Sequence, residues 1–179
     1  MDEVAVGRTL ARMASEILEE CGAPEDFCLI GIWAGGHYVC ERLAQLIEQT
    51  EGVRPATGSI DITLYRDDLY TGLEKPVLGE TRIPFKVTGR RIVLVDDVLF
   101  TGRTVRAAMD EIWDYGRPAW IRLAVLIDRG HRELPFAADF VGRRLETEIK
   151  DKVHVRMGVG EDQIAGVSMT LSVGQDGEA

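Results

Sequence analysis

The sequence predicts an α/β fold: a mostly parallel sheet flanked by helices. Three observations carry that expectation. The runs "CLIGI" (28–32), "IVLV" (92–95) and "IRLAVLI" (121–127) are apolar throughout, as strands buried on both faces are. The stretches between them carry apolar residues at the spacing of one helical face. Glycine and proline mark the changes from one pattern to the other. Strands and helices in alternation build a parallel sheet covered on both sides.

Taken in order, residues 5–20 place Leu10, Met13, Ala14, Ile17 and Leu18 on one helical face, and Gly22 and Pro24 stop that helix. "CLIGI" is the first buried strand and "WAGG" (33–36) a turn. Val39, Leu43, Leu46 and Ile47 mark a second helix, closed by Gly52. "SIDITLY" (59–65) puts Ile60, Ile62 and Leu64 on one face of a strand. Segment 66–88 shows no clear period, is rich in charge and holds Pro76 and Pro84. A connection that long in a compact domain is a lid, a hairpin or disordered. "IVLV" is followed by a helix with Val105, Ala108, Met109 and Ile112 on one face, ended by Gly116 and Pro118. "IRLAVLI" is another buried strand and "VHVRM" (153–157) a candidate fourth. Loops 33–36, 96–104 and 128–131 then lie beyond the carboxyl ends of strands, where ligands of such sheets bind.

The chain of 179 residues is the size of a single domain, 1–179, with its own core, and no repeat or linker divides it. Thirty acidic residues against 21 basic ones leave a net charge of -9, which argues against broad nonspecific binding to nucleic acid but permits a local basic face. No apolar run reaches the length of a membrane span. The start "MDEVAVGRTLARM" is too acidic and polar for a signal peptide, so the expected location is cytoplasmic. Cys21, Cys28 and Cys40 form no CxxC pair and read as reduced structural thiols. His37 reads as a surface or capping residue, His154 as structural and Trp33 as packing, while Trp113 and Trp120 suit a core or an interface.

The stretch "VLVDDVLFTGRT" (93–104) carries the chemistry. Two adjacent carboxylates buried together repel, so Asp96 and Asp97 are expected at the mouth of the strand. There they can accept hydrogen bonds from hydroxyls or hold a hydrated divalent cation. "TGRT" then opens a helix with two hydroxyls, a glycine that permits close backbone approach and an arginine. The unpaired amides and dipole of a helix start favour an anion. One side suits a diol or a metal and the other a phosphate, and a sugar phosphate joins the two. Neither GxxxxGK[ST] nor GxGxxG is present.

"IVLVDDVLFTGRT" (92–104) resembles the signature of phosphoribosyltransferases that use phosphoribosyl pyrophosphate (PRPP). Its "TGRT" form, with "GSIDITLYRDDL" (58–69), "VRAAMDEIWDYGRPAWIRLAVLIDRGHRELP" (105–135) and "ADFVG" (138–142), resembles the PyrR family. Members are pyrimidine operon attenuators that are also uracil phosphoribosyltransferases. The resemblance covers residues from about 8 to 157. It implies a type I phosphoribosyltransferase fold with a flexible lid at about 66–88 and a small C-terminal hood. It implies that Asp96 and Asp97 hold the ribose hydroxyls, directly or through Mg²⁺, the implied cofactor. Thr101, Gly102, Arg103 and Thr104 would cradle the 5′-phosphate in a loop that includes Val98, Leu99 and Phe100. Ala34, Gly35 and Gly36 match the pyrophosphate loop and Arg66 lies in the lid. Arg129 would flank the nucleotide, with a contribution near Val153. Implied partners are PRPP, uracil, UMP or UTP, further copies of the chain in a dimer or higher oligomer, and a pyr mRNA leader. That RNA would meet a basic face made by His131, Arg132, Arg143 and Arg144. No membrane is implied.

The sequence departs from the family pattern in two places. The pyrophosphate loop usually reads Thr-Arg-Gly, and here it is Ala34-Gly35-Gly36, without the charge that suits a pyrophosphate. Arg66, Arg82 or Lys86 could replace it. On the RNA face, Ala11, Ser15 and Ala137 are poorer than the family pattern. Phe100 stands where purine-salvage relatives carry an acid, which disfavours purines. Two functions follow: a uracil phosphoribosyltransferase that also regulates transcription, or a nucleotide-sensing RNA-binding regulator with little or no turnover. On this reading Arg132→Ala leaves transfer intact and weakens RNA affinity and its salt slope.

Overall fold

Helix α1 (Glu3–Cys21) starts ahead of its apolar spacing because the Asp2 side chain caps it, accepting from the Ala5 amide at 2.8 Å. Leu10, Met13, Ala14 and Ile17 are buried, as their spacing predicts. In this computed structural model, residues 1–62, 80–157 and 164–170 are described. Strands β1 (Phe27–Ile32), β2 (Ala56–Ile60), β3 (Arg91–Leu99), β4 (Trp120–Asp128) and β5 (Phe140–Arg144) form a five-stranded sheet in the order β2-β1-β3-β4-β5. Every pairing in it is parallel. Helix α2 (Gly35–Glu51) follows β1 and helix α3 (Arg103–Asp114) follows β3.

The sheet is buried on both faces. Phe27, Leu29, Val93, Val95 and Leu126 meet α1 and α2 on one side. Ile30, Ile32, Ile92, Leu94 and Val125 meet α3 and residues 83–87 on the other. The chain leaves β1 for β2 on one flank and returns on the other as β3. Connections therefore diverge between β1 and β3 and leave a crevice at their carboxyl ends.

Several boundaries differ from the sequence expectation. The first differences surround that crevice. Residues 35 and 36 belong to α2, so the turn is shorter than "WAGG". β3 runs through the acid pair to Leu99, because β4 pairs with it as far as Leu99↔Asp128. The two carboxylates thus sit inside a strand. β2 spans 56–60, not 59–65: its partner β1 ends at Ile32, opposite Ile60, and the Trp33 amide then donates to the Ile60 carbonyl at 2.8 Å. Ile62 is buried beyond the ladder, and residues 63–65 lie outside the described part.

Farther from the crevice, β5 has no clear apolar run, since only Phe140 among its residues is buried. "VHVRM" is a strand, β6 (Lys152–Met157), but not of the main sheet. It pairs antiparallel with β7 (Ile164–Thr170) in a separate ribbon, the position of the expected hood. Most of the expected lid, including Arg66, lies outside the described residues. Its last part is docked: Ser59 and Arg82 exchange backbone hydrogen bonds of 2.8 Å, Ser59 Oγ donates to the Glu80 carbonyl, and Val87 is buried. Trp113 is 54% exposed and so is not core. All three cysteines are free and buried, and among the described residues no helix is long and apolar enough to cross a membrane.

Candidate active site

Past Val95, β3 loses β1 as a neighbour, and the start of α2 fills the gap. That packing needs residues without side chains. A Cβ on Gly36 would lie 2.5 Å from the Val95 carbonyl oxygen and 2.8 Å from the Asp96 Cα. A Cβ on Gly35 would run into the Asp97 carboxylate. The expected pyrophosphate loop and the acid pair, 60 residues apart in sequence, are therefore in direct contact. The Trp33–Ala34 peptide is cis, and the Trp33 ring stacks on His37 with centroids 4.4 Å apart.

Asp96 is buried and Asp97 half-buried. One oxygen of each is turned onto the chain: the Asp97 amide donates to Asp96 Oδ1 at 2.9 Å and the Val98 amide to Asp97 Oδ1 at 2.9 Å. These bonds fix the direction of both carboxylates. Asp97 presents its other oxygen toward the glycine loop. Two hard oxygen donors side by side fit a magnesium ion that keeps waters and shares substrate oxygens. Among the described residues no cluster of three His, Cys, Asp or Glu side chains forms a protein-only cage.

At the other end of the loop, Gly102 has φ 95° and precedes α3, which has no acidic side chain in its first turn and no side-chain cap from Gly102 itself. Thr101 Oγ1 accepts the Arg103 amide at a long 3.3 Å. The helix start thus offers amides and positive dipole to an anion. A Cβ on Gly102 would lie 2.9 Å from the Phe136 ring, so glycine is required there by space as well as by φ. Arg103 pairs with Glu133, with Nε 2.8 Å and Nη2 2.7 Å from one carboxylate oxygen. Both partners are exposed, and an ion pair of that kind is weak enough for a phosphate to displace.

Residues 128–136 wrap over this loop. The Glu133 and Leu134 amides donate to the Thr101 carbonyl at 3.0 Å, and the Arg129 amide donates to the Leu99 carbonyl at 3.1 Å. The buried Arg129 guanidinium lies 4.2 Å from the Phe100 ring centroid and donates to the carbonyls of Asp151 and Glu148 at 2.7 Å. Burial lowers its pKa, opposed by Asp151, yet a guanidinium remains charged. The residue expected to flank the nucleotide therefore ties the 148–151 turn to the loop and backs the Phe100 ring.

Other expected site residues are placed as follows. Val98 and Leu99 send their side chains into the two core clusters, so toward a ligand they offer backbone. Val153 packs on the first cluster. On the expected RNA face, His131 has φ 58° and its Nε2 lies 2.6 Å from the Thr147 carbonyl oxygen, so that nitrogen carries the proton. Arg143 and Arg144 are exposed on β5. Arg132 is not an open basic contact: its guanidinium is directed inward at carbonyls of the site loop. Sequence reasoning missed this buttress. The signal was present in "DRGHRELP", whose glycine and charge density mark a tight polar turn, but nothing in the string says which loop it would brace.

Residues 2–162 match the phosphoribosyl transferase domain family. The chain is 51% identical over 160 residues to the bifunctional protein PyrR of Listeria welshimeri, covering 88% of this chain and 87% of that protein. It is 51% identical over 155 residues to the protein of the same name from Geobacter sulfurreducens, covering 87% and 88%. A third, from Clostridium novyi, is 52% identical over 155 residues, covering 87% of each chain. Among solved structures, a hypoxanthine-guanine phosphoribosyltransferase of Bacillus anthracis superposes with TM-score 0.63 at 18% identity, covering 81% and 82%. A Trypanosoma cruzi hypoxanthine phosphoribosyltransferase gives TM-score 0.65 at 18% identity, covering 82% and 76%. At that identity the structural likeness speaks for the fold.

Proposed function

The chain belongs to the phosphoribosyl transferase domain family, in its PyrR branch, and on that footing we propose that it transfers the phosphoribosyl group of PRPP to uracil, giving uridine monophosphate (UMP) and pyrophosphate. One observation supports the reading above others. At a single switch point the sheet gathers two oriented carboxylates, a glycine pair in contact with them and a helix start with no acidic side chain in its first turn. That set suits the two ends of an activated pentose.

The residues act in order along the sugar. The amides at the start of α3, with Thr101, Thr104 and Arg103, hold the 5′-phosphate. Asp96 and Asp97 hold the ribose hydroxyls and fix the ring's orientation. As the bond from C1 to pyrophosphate breaks, positive charge grows on the sugar, and carboxylates aimed in advance stabilise it without reorganising. Asp96 and Asp97 would hold Mg²⁺ through hydroxyls or water, and the ion would supply positive charge against the pyrophosphate. The loop at 33–36 receives that group through backbone. Phe100, its ring backed by Arg129, offers the base an apolar surface and no proton acceptor, which favours uracil over a purine.

The proposal includes regulation: the uridine nucleotide bound here governs contact with a pyrimidine messenger leader, in a cytoplasmic dimer or higher assembly. A specific observation keeps the non-catalytic reading alongside. The loop has no arginine, and at Gly35 there is no room for a side chain beside Asp97. Measuring UMP formation from uracil and PRPP, with and without Mg²⁺, separates the two. Magnesium-dependent UMP formation supports the enzyme. UMP binding without turnover supports the regulator alone.

A further inference from the structure

The Arg132 guanidinium donates to carbonyls in the loop from 96 to 104 and in its brace, and to one carboxylate. Nη1 donates to the carbonyls of Phe100 at 2.8 Å, Gly130 at 2.9 Å and, at the margin, Leu99 at 3.4 Å. Nε donates to the Phe136 carbonyl at 3.0 Å, and Nη2 meets the Asp128 carboxylate at 2.6 Å. The Arg132 and Asp128 side chains are 21% and 15% exposed, so this pair is screened far less than a surface ion pair. Asp128 Oδ1 also accepts the Gly130 amide at 3.0 Å, which fixes the acceptor in place.

These carbonyls have a common position. Leu99 and Phe100 end β3 and enter the segment that presents Thr101 and Gly102, while Phe136 is the ring that meets Gly102. One planar fork therefore joins the exit of β3, the exit of β4 and the ring behind the phosphate loop. A guanidinium can do this because its donors diverge in a rigid plane, whereas an ammonium is a compact point of charge. A cation with its donors so fully used has little left for an outside phosphate.

We propose that Arg132 is a positioning residue for the sugar-phosphate end of the site, acting through the Phe100 and Leu99 backbone. The role rests on the phosphoribosyltransferase reading above. It predicts a selective defect, because the brace lies at the phosphate end of the pocket and touches no group assigned to the base except the Phe100 backbone. The wild type, Arg132→Ala and Arg132→Lys are compared by transfer kinetics with each substrate varied and by calorimetric titration with UMP. Arg132→Ala is expected to raise the KM for PRPP and the Kd for UMP about tenfold or more, as loss of charge-assisted hydrogen bonds does. The KM for uracil should stay within about twofold. Arg132→Lys keeps charge and stem, so it should melt close to wild type and still raise the KM for PRPP about fivefold. It keeps the test open if the alanine variant does not fold. A folded Arg132→Lys with PRPP and UMP affinities like wild type overturns the proposal, as does an equal rise in both KM values. Should the wild type neither make nor bind UMP, the underlying reading fails and takes this role with it. A wild type that does both, beside an unaltered lysine variant, removes the role of Arg132 alone.

Discussion

The two loops that meet at the switch point are built in opposite ways. Residues 33–36 are held by what they lack: Gly35 and Gly36 bring α2 onto the acid pair because no side chain stands between. Residues 96–104 are held by bonds, from Asp96 and Asp97 to their neighbouring amides and from the 129–134 segment to Leu99, Phe100 and Thr101. A contact made by absence has no graded response, since a single methyl must displace backbone. A contact made by hydrogen bonds is tunable, since one bond can go while the others keep the geometry. In the proposed reaction the chemistry sits on the tunable side, and the rigid side serves as its wall.

The largest expected effect tests whether the bonded loop carries the chemistry. Asp97→Asn is nearly isosteric and should lower UMP formation about 10²-fold with little change in melting temperature. A rate near wild type would break the assignment of the acid pair. Next comes the wall. Gly36→Ala should destabilise the fold by about 1–3 kcal/mol, read by urea denaturation, because the atoms in its way are all backbone. Thr101→Ala, on the other side, loses only a long 3.3 Å bond and should cost less than about 1 kcal/mol of stability. If the two variants melt alike, the contrast between the loops is false. A smaller effect is expected from Phe100→Leu, which removes the ring under Arg129 and should cost about 1 kcal/mol in the same titration.

The smallest effect is a null result on the wall side. Cys40 sits on α2 with its Cβ where a Gly31 side chain would go. Burial pushes its thiol pKa far up, the Glu41 carboxylate adds to this, and nearby Arg54 opposes it. Burial also raises Cys28 and Cys21. Only thiolates alkylate readily. Native protein treated with iodoacetamide at pH 8 should therefore gain no adduct at Cys40 by mass spectrometry, while urea-unfolded protein gains adducts at all three. Uptake at Cys40 in the native state would show that the packed side opens.

Much of this was legible in the string. The runs at 28–32, 92–95 and 121–127 are strands because continuous β-branched and aliphatic residues have no polar face to expose. The order of acid pair, "TGRT" and amphipathic helix gave the strand end, the loop and the start of α3 in turn. Boundaries were less legible where partners set them. β3 continues through Asp96 and Asp97 only because β4 is there to pair with it. β5 carries one buried residue and owes its existence as a strand to the edge of β4. Arg132 looked like a surface cation, since two of its acceptors are backbone carbonyls 32 and 33 residues away and every residue has a carbonyl.

By itself the sequence determined the layers and the chemical inventory: which segments must be buried, which helix start can take an anion, and which loop lacks a charge. These depend on local composition and period, which the chain carries wherever it goes. Only the tertiary structure decided that Gly35 would lie on Asp97, that Arg129 and Arg132 would spend their charges within the protein, and that β6 and β7 would pair with each other outside the main sheet. Those outcomes depend on distances between segments far apart in the chain. Such distances are set when strand order and register are chosen, and residue identity alone does not contain them.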